Sequence, residues 1–183
     1  VKMVRKLKYH EKKLLKKVDF LDWEVDKSNA QELKIMRKYS ISRNEYTAYN
    51  KLSREIRVLA GKIQANEKKA FGIVAQRQLC QKLYDMGIIT IQKLGNCHDV
   101  SASSFCRRRI GVMVLKSKMA DNLNDAIKYV EHGHIRVGPE CVKDPAMLVT
   151  RKMEDFITWA DTSAIKRKVH EYNETRDDYD LVE

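Results

Sequence analysis

Arg107, Arg108 and Arg109 stand together, Lys116 and Lys118 follow, and Lys128, His132, His134 and Arg136 complete a set of basic side chains. The chemistry such a set offers is anion binding. An arginine guanidinium is a planar fork that grips two phosphate oxygens at once and stacks on exposed bases. Histidine adds a flat ring and a donor, and gains charge near neutral pH when close to phosphate. The competing reading is a solvated helix surface decorated with arginine. Against it, no Asp or Glu lies between Phe105 and Lys118, so the local sequence offers no counter-charge. A second basic group opens the chain: Arg5, Lys6, Lys8, Lys12, Lys13, Lys16 and Lys17, with Glu11 the one acid among the first 17 residues. These charges would repel one another in a free helix, so the segment is expected to be an arm that orders on RNA or on an acidic protein surface.

Other chemistries fare worse. His98 beside Cys97, together with Cys106, His132, His134 and Cys141, raises zinc, but structural zinc sites bring their ligands in tight pairs such as CxxC. Scattered buried thiols are the expectation. No local frame singles out a cysteine nucleophile with its base, and no GxGxxG, Walker loop or HExxH occurs. Glu154-Asp155 reads as a solvated pair. No enzyme activity, metal or cofactor is expected.

The elements that would position the basic set can be read from periodicity. Ser42-Arg43-Asn44-Glu45 has capping-box form, and Tyr46, Tyr49, Leu52, Ile56, Leu59 and Ile63 then recur as one apolar helical stripe. Leu79, Leu83 and Met86 suggest a second helix, with Gly87 as a left-handed stop. Cys106, Ile110, Met113 and Ser117 trace one helical face, which would bring Arg109 and Lys116 onto one side. Asn122 is placed to cap a helix carrying Leu123, Ala126, Ile127 and Val130, ended by Gly133. Lys128 and His132 lie one turn apart on it. His134-Ile135-Arg136-Val137 alternates with period two, so His134 and Arg136 should point outward. Gly138-Pro139 and Asp144-Pro145 are turns, and Phe156-Ile157-Thr158-Trp159 is further strand material.

The bulk numbers agree with a polyanion partner. The 183 residues carry 36 Lys and Arg against 25 acids, a net +11, and each phosphate neutralised releases condensed counterions. Hydrophobic residues at 43% support a core, while 7 Gly and 2 Pro favour long helices. Four cysteines without a framework indicate a reducing compartment. With no run approaching the roughly 18 apolar residues of a membrane span, the expectation is a soluble intracellular protein with no membrane partner. The last ten residues are acidic, a mobile end or a protein contact.

From Arg108-Arg109-Ile110 through Asp125-Ala126-Ile127-Lys128, His132-Gly133-His134-Ile135-Arg136-Val137-Gly138 and Val142-Lys143-Asp144-Pro145, the chain resembles the S-four (S4) RNA-binding domain. Gly111 departs from that pattern, which commonly has Asp there, and Gly138-Pro139 replaces Asn-Gly while keeping a turn. The segments from Val4 to Glu11, from Leu14 to Leu21, from Asp144 to Arg151 and from Met153 to Trp159 are similar to the U-three (U3) small nucleolar ribonucleoprotein branch of that family. The resemblance implies a nucleolar ribosome-assembly factor. It implies binding to U3 small nucleolar RNA and pre-ribosomal RNA, support of their pairing, and docking to the scaffold protein Mpp-ten of the small-subunit processome. The same module also occurs appended to enzymes, but the residues before Phe105 show no sheet that would carry a catalytic aspartate.

The expected fold is therefore α+β: a basic arm over 1–27, a helical region over 28–102, an S4-type domain of two helices on a short sheet over 103–160, and a C-terminal helix and acidic tail over 161–183. Two other readings stay open: a structural protein of the mature small subunit, and mainly a protein-interaction adaptor.

Overall fold

The computed structural model describes residues 6–16 and 30–175. Helices precede a small sheet, so the chain is α+β. The basic segment, expected to be an arm that orders on a partner, contributes α1 (Tyr9–Leu15). Glu11 accepts the N–H of Lys8 at 2.8 Å while Lys12 and Lys13 sit in the last turn, so both signs of charge complement the helix dipole. Arg5 and Lys17 lie outside the described residues.

The helical half consists of α2 (Ala30–Tyr39), α3 (Arg43–Ala65), α4 (Ala70–Asp85), α5 (Leu94–His98) and α6 (Ala102–Cys106). The capping box forms as read: Ser42 N–H donates to Glu45 Oε2 at 2.8 Å, and Glu45 N–H donates to Ser42 Oγ at 3.3 Å. The buried face of α3 is turned from the expected stripe. Tyr49, Ser53, Ala60 and Ile63 are buried, whereas Leu52 and Leu59 are exposed. Small residues at 53 and 60 let the crossing helices α5 and α6 come close. Tyr49 stacks on Phe105 with ring centroids 5.6 Å apart, so this tyrosine belongs to the core.

After α4, Gly87 adopts φ +72°. A side chain there would meet the Arg108 guanidinium carbon at 2.7 Å, so Gly87 both stops the helix and leaves room for an arginine from further along the chain.

The second half contains α7 (Ile110–Lys116), α8 (Leu123–Glu131), β1 (Ile135–Val137), β2 (Glu140–Cys141), α9 (Arg151–Glu154), β3 (Ile157–Trp159) and α10 (Ala164–Tyr172). The sheet order is β2-β1-β3, antiparallel throughout, with Arg136 opposite Cys141 on one side and Thr158 on the other. α7 and α8 cover it. Gly111 lets them approach, since a Cβ there would sit 3.1 Å from Ile127 Cγ1. Ile110, Val114, Val130 and Ile135 are fully buried between the helices and the sheet. Truncating one of them to alanine would cost about 2–5 kcal/mol.

Two cores result. One gathers Tyr39, Tyr49, Cys80, Leu83, Cys97, Phe105 and Cys106; the other begins at Ile110. Arg107, Arg108 and Arg109 lie between them. The single helix expected through Cys106, Ile110, Met113 and Ser117 is thus broken in two. The break has a hydrogen-bonding cause: Arg109 pairs as an isolated antiparallel bridge with Leu148, Ile110 N–H donates to Met147 O, and Val149 N–H donates to Arg108 O. With the Ile110 N–H given to Met147 and the Arg108 carbonyl taken by Val149, those two groups are withdrawn from a continuous helical ladder.

Candidate nucleic-acid interface

The arginine triplet splits into one surface residue and two buried ones. Arg107 caps the end of α6, exposed, and donates to Ser104 Oγ at 3.2 Å. Arg108 is buried; its Nε donates to Val149 O at 2.9 Å and its Nη1 pairs with Glu154 Oε2 at 3.1 Å. Arg109 is buried too, with Nη1 at 2.7 Å from Glu45 Oε1 and 3.2 Å from the Tyr49 hydroxyl. Protein acceptors engage both guanidinium groups, and Arg108 Nη2 is buried without a hydrogen-bond partner, so neither side chain is presented at the surface where the sequence placed it. The absence of local acids misled, because Glu45 and Glu154 arrive from remote positions in the chain. Arg109 and Lys116 do not share a face either: Arg109 precedes α7 in extended backbone, while Lys116 at its end reaches Glu154 Oε1 at 2.6 Å. Glu154 is therefore a counter-ion for two cations rather than a solvated bystander.

These pairs fix the titration of the acids. For Glu45, burial pushes the carboxyl up, but hydrogen bonds from Arg109 and Ser42 together with the Arg109 charge outweigh it and hold the group below the ordinary carboxylate range. For Glu154, the Lys116 hydrogen bond is the largest cause of the lowering, opposed by burial and assisted by the Arg108 hydrogen bond and by both charges.

The remaining candidates stay at the surface. Lys118 is exposed in left-handed backbone, φ 59°, just after α7. Lys128 is exposed on α8, with Asp125 at a loose 3.9 Å. His132 caps the end of α8 and lies parallel to His134, ring centroids 6.2 Å apart. His134 Nδ1 is 3.0 Å from the hydroxyl of buried Ser163, the N-cap of α10, so that ring is held in place. Arg136 and His134 flank buried Ile135, as the alternation in β1 predicts. Arg136 donates to Thr158 Oγ1 at 3.0 Å and pairs with Asp161, which leaves it half-buried and partly neutralised. Lys6, Lys8, Lys12, Lys13 and Lys16 are all exposed around α1.

Sequence reading missed three residues. Lys143 is exposed and its side chain lies beside Gly133, adjoining His132; hairpin geometry around Gly138 could have placed it there. Arg151 donates from Nε to Tyr84 O at 2.8 Å and from Nη2 to Ile89 O at 2.9 Å, with its guanidinium 4.2 Å from the Tyr84 ring centroid. No local signal marks that role. Arg43, read as part of the capping box, is buried beside Glu32 at 3.6 Å.

Three cysteines are buried as expected, but Cys141 is exposed and donates to Gly133 O at 3.2 Å. Burial, with Cys80 alongside, pushes the Cys97 thiol up to about 12, and burial pushes Cys106 to about 11. Both stay protonated at neutral pH, as structural thiols do. Among the described residues no group of three or more His, Cys, Asp or Glu is placed to hold a metal, and no helix is long and apolar enough to cross a membrane.

A helical half bolted to a two-helix, three-strand unit is the arrangement of S4-type proteins. Residues 6–107 match the family described as ribosomal protein S4/S9 N-terminal domain, and residues 108–155 match the S4 domain. The U3 small nucleolar ribonucleoprotein protein IMP3 of Mus musculus is 56% identical over 98% of this chain and 99% of its own. IMP3 of Saccharomyces cerevisiae is 44% identical over 98% of this chain and 100% of its own. The chain belongs to this IMP3 family. The small ribosomal subunit protein uS4 of Sulfurisphaera tokodaii is 34% identical over 50% of this chain and 53% of its own.

Proposed function

We propose that this chain is a non-enzymatic RNA-binding component of the U3 small nucleolar ribonucleoprotein, acting in small-subunit ribosome assembly in the nucleolus. The observation that carries the reading is that the S4-type unit leaves Arg107, Lys118, His132 and Lys143 exposed along its rim and Lys128 exposed on α8, with the His134 ring held by Ser163. Near-full-length similarity to proteins named for the U3 particle supports the assignment of the particle. Its RNA ligands are U3 small nucleolar RNA and pre-ribosomal RNA. The rim acts by holding phosphates, which relieves the repulsion between two backbones and so supports their pairing. In this reading residues 103–160 form the RNA-binding unit and 28–102 its helical support. Recognition is by shape where the RNA is paired, because the A-form major groove is too narrow for side chains.

The test is annealing of two short RNAs, one copying the pairing segment of a small nucleolar RNA and the other its pre-ribosomal target, by wild type and by Lys118→Glu/His132→Glu. Wild type should speed or stabilise pairing and the variant should not. Equal activity would remove the rim from the mechanism. Arg108 and Arg109 are unsuitable for this test, since reversing either charge would attack the fold.

A second reading, the protein-interaction adaptor, has its own support. Leu52, Val58 and Leu59 of α3 and Phe71, Ile73 and Val74 of α4 are exposed, Phe71 by 80%. Such apolar surface suits a protein partner, and in this reading it is where a scaffold such as Mpp-ten docks. Particle association lost in Phe71→Asp, with RNA binding retained, would favour it.

A further inference from the structure

A polar cleft of about 390 Å³ opens between the two halves, where the end of α2 faces the start of α8. Arg37, Lys38 and Ser40 line one wall; Asn122, Asn124, Asp125 and Lys128 line the other, with Leu123 the apolar contribution. The walls are tied by Ser40 Oγ donating to Asn124 Oδ1 at 2.9 Å, from a Ser40 in left-handed backbone, φ 48°. Three cations thus converge against one acid, and that acid is only loosely engaged by Lys128 at 3.9 Å. Asn122 places no side-chain cap on the first turn of α8, which leaves that turn's N–H groups as further donors beside the cations. We infer that this cleft is a second RNA-backbone site, holding phosphates of a strand other than the one on the His132 and Lys143 rim.

The choice of ligand follows from the lining. A protein partner would call for an apolar centre, and here one leucine stands among charged and amide side chains. Phosphodiester needs cations and donors in a wet groove, which the cleft supplies. The separation follows from α8 itself. Its nine residues make a rod of roughly 14 Å, with the cleft at one end and His132 at the other. Lys128 lies between, on the cleft side. One rigid helix would then hold two backbones at a fixed spacing, which is the geometry that pairing support requires.

This inference rests on the RNA-binding reading, and the experiment separates their failures. Affinity of the full chain for a labelled single-stranded RNA and for its duplex is measured across a salt series. Wild type is compared with Arg37→Gln/Lys38→Gln, with His132→Ala/Lys143→Gln and with the four-fold variant. Arg37 and Lys38 are exposed, so their removal spares the fold; Asn124→Asp is a second variant that keeps the acceptor for Ser40 and adds a repelling charge. The inference expects the cleft pair to lower the magnitude of the duplex salt slope by about 1.4–1.8, two contacts at roughly 0.7–0.9 each. It expects Asn124→Asp to weaken duplex binding and the four-fold variant to lose both contributions. A cleft variant that matches wild type while the rim variant is impaired overturns the cleft and leaves the RNA-binding reading standing. A wild type with no salt-dependent RNA affinity overturns both. Preferential binding of poly-glutamate, lost in the cleft pair, would overturn RNA as the occupant.

Discussion

The seam between the two halves and the rim of the S4-type unit both use cations, in opposite ways. At the seam, Arg108, Arg109 and Arg151 are spent on carboxylates and backbone carbonyls of the protein itself. At the rim, Lys118, His132 and Lys143 stay exposed. Residue type alone does not separate the two groups, and neither does position in the chain, since Arg107 and Arg108 are neighbours with different fates. What separates them is whether an acid or a carbonyl from a distant element reaches the site. Arginine at the seam serves as a multi-pronged bolt, which a lysine with its point charge would do less well.

The comparison breaks most readily at Arg109. Arg109→Ala should destabilise the fold by roughly 3 kcal/mol, since it strips a largely buried ion pair of one partner; urea unfolding would show the loss, and an unchanged midpoint would demote the seam. Next in size, Lys118→Glu/His132→Glu should leave the unfolding midpoint nearly in place while flattening the salt dependence of RNA binding. With about five phosphate contacts the wild-type slope should lie near −3.5 to −4.5, and each contact removed should reduce its magnitude by about 0.7–0.9.

Acid titration sharpens the same contrast. The folded state holds Glu45 and Glu154 below their unfolded values, so their contribution is complete above the unfolded carboxylate pKa of about 4.3 and is lost as pH falls through the lowered folded values. Glu45→Gln should therefore flatten the acid limb of a stability–pH curve; an unaltered limb would place acid sensitivity elsewhere. The smallest effect belongs to Lys116→Gln. That side chain is 66% exposed, so its bond to Glu154 should be worth under about 1 kcal/mol, barely resolvable in the same unfolding measurement.

Features written in local chemistry were legible in the sequence. The Ser42 capping box, the stops at Gly87 and Gly133, the alternation in β1 and the turn at Gly138 each depend on residues a few positions apart, and each takes the form expected. The helix break at Arg107–Arg109 was not legible, because its causes are the Leu148 bridge and a carboxylate 64 residues upstream. The face of α3 was misjudged for a related reason. Hydrophobicity favours Leu52 and Leu59, but the helices crossing it call for the small side chains at 53 and 60. Of the site, the outward direction of His134 and Arg136 could be read from periodicity; that Asp161 would claim Arg136 could not. The cleft residues Arg37 and Lys38 escaped notice because their neighbour Lys128 is remote in sequence.

Arg151 gives the helical half a dependence on timing. The carbonyl of Tyr84, which already accepts from Gly87 N–H, and that of Ile89 just beyond α4 each accept from a side chain 67 and 62 residues later. On a ribosome adding about 5–20 residues per second, some 3–13 s separate the synthesis of Tyr84 from that of the arginine that completes its hydrogen bonding. Through that interval the end of α4 keeps these acceptor positions unfilled, and the second half, on emerging, fills them.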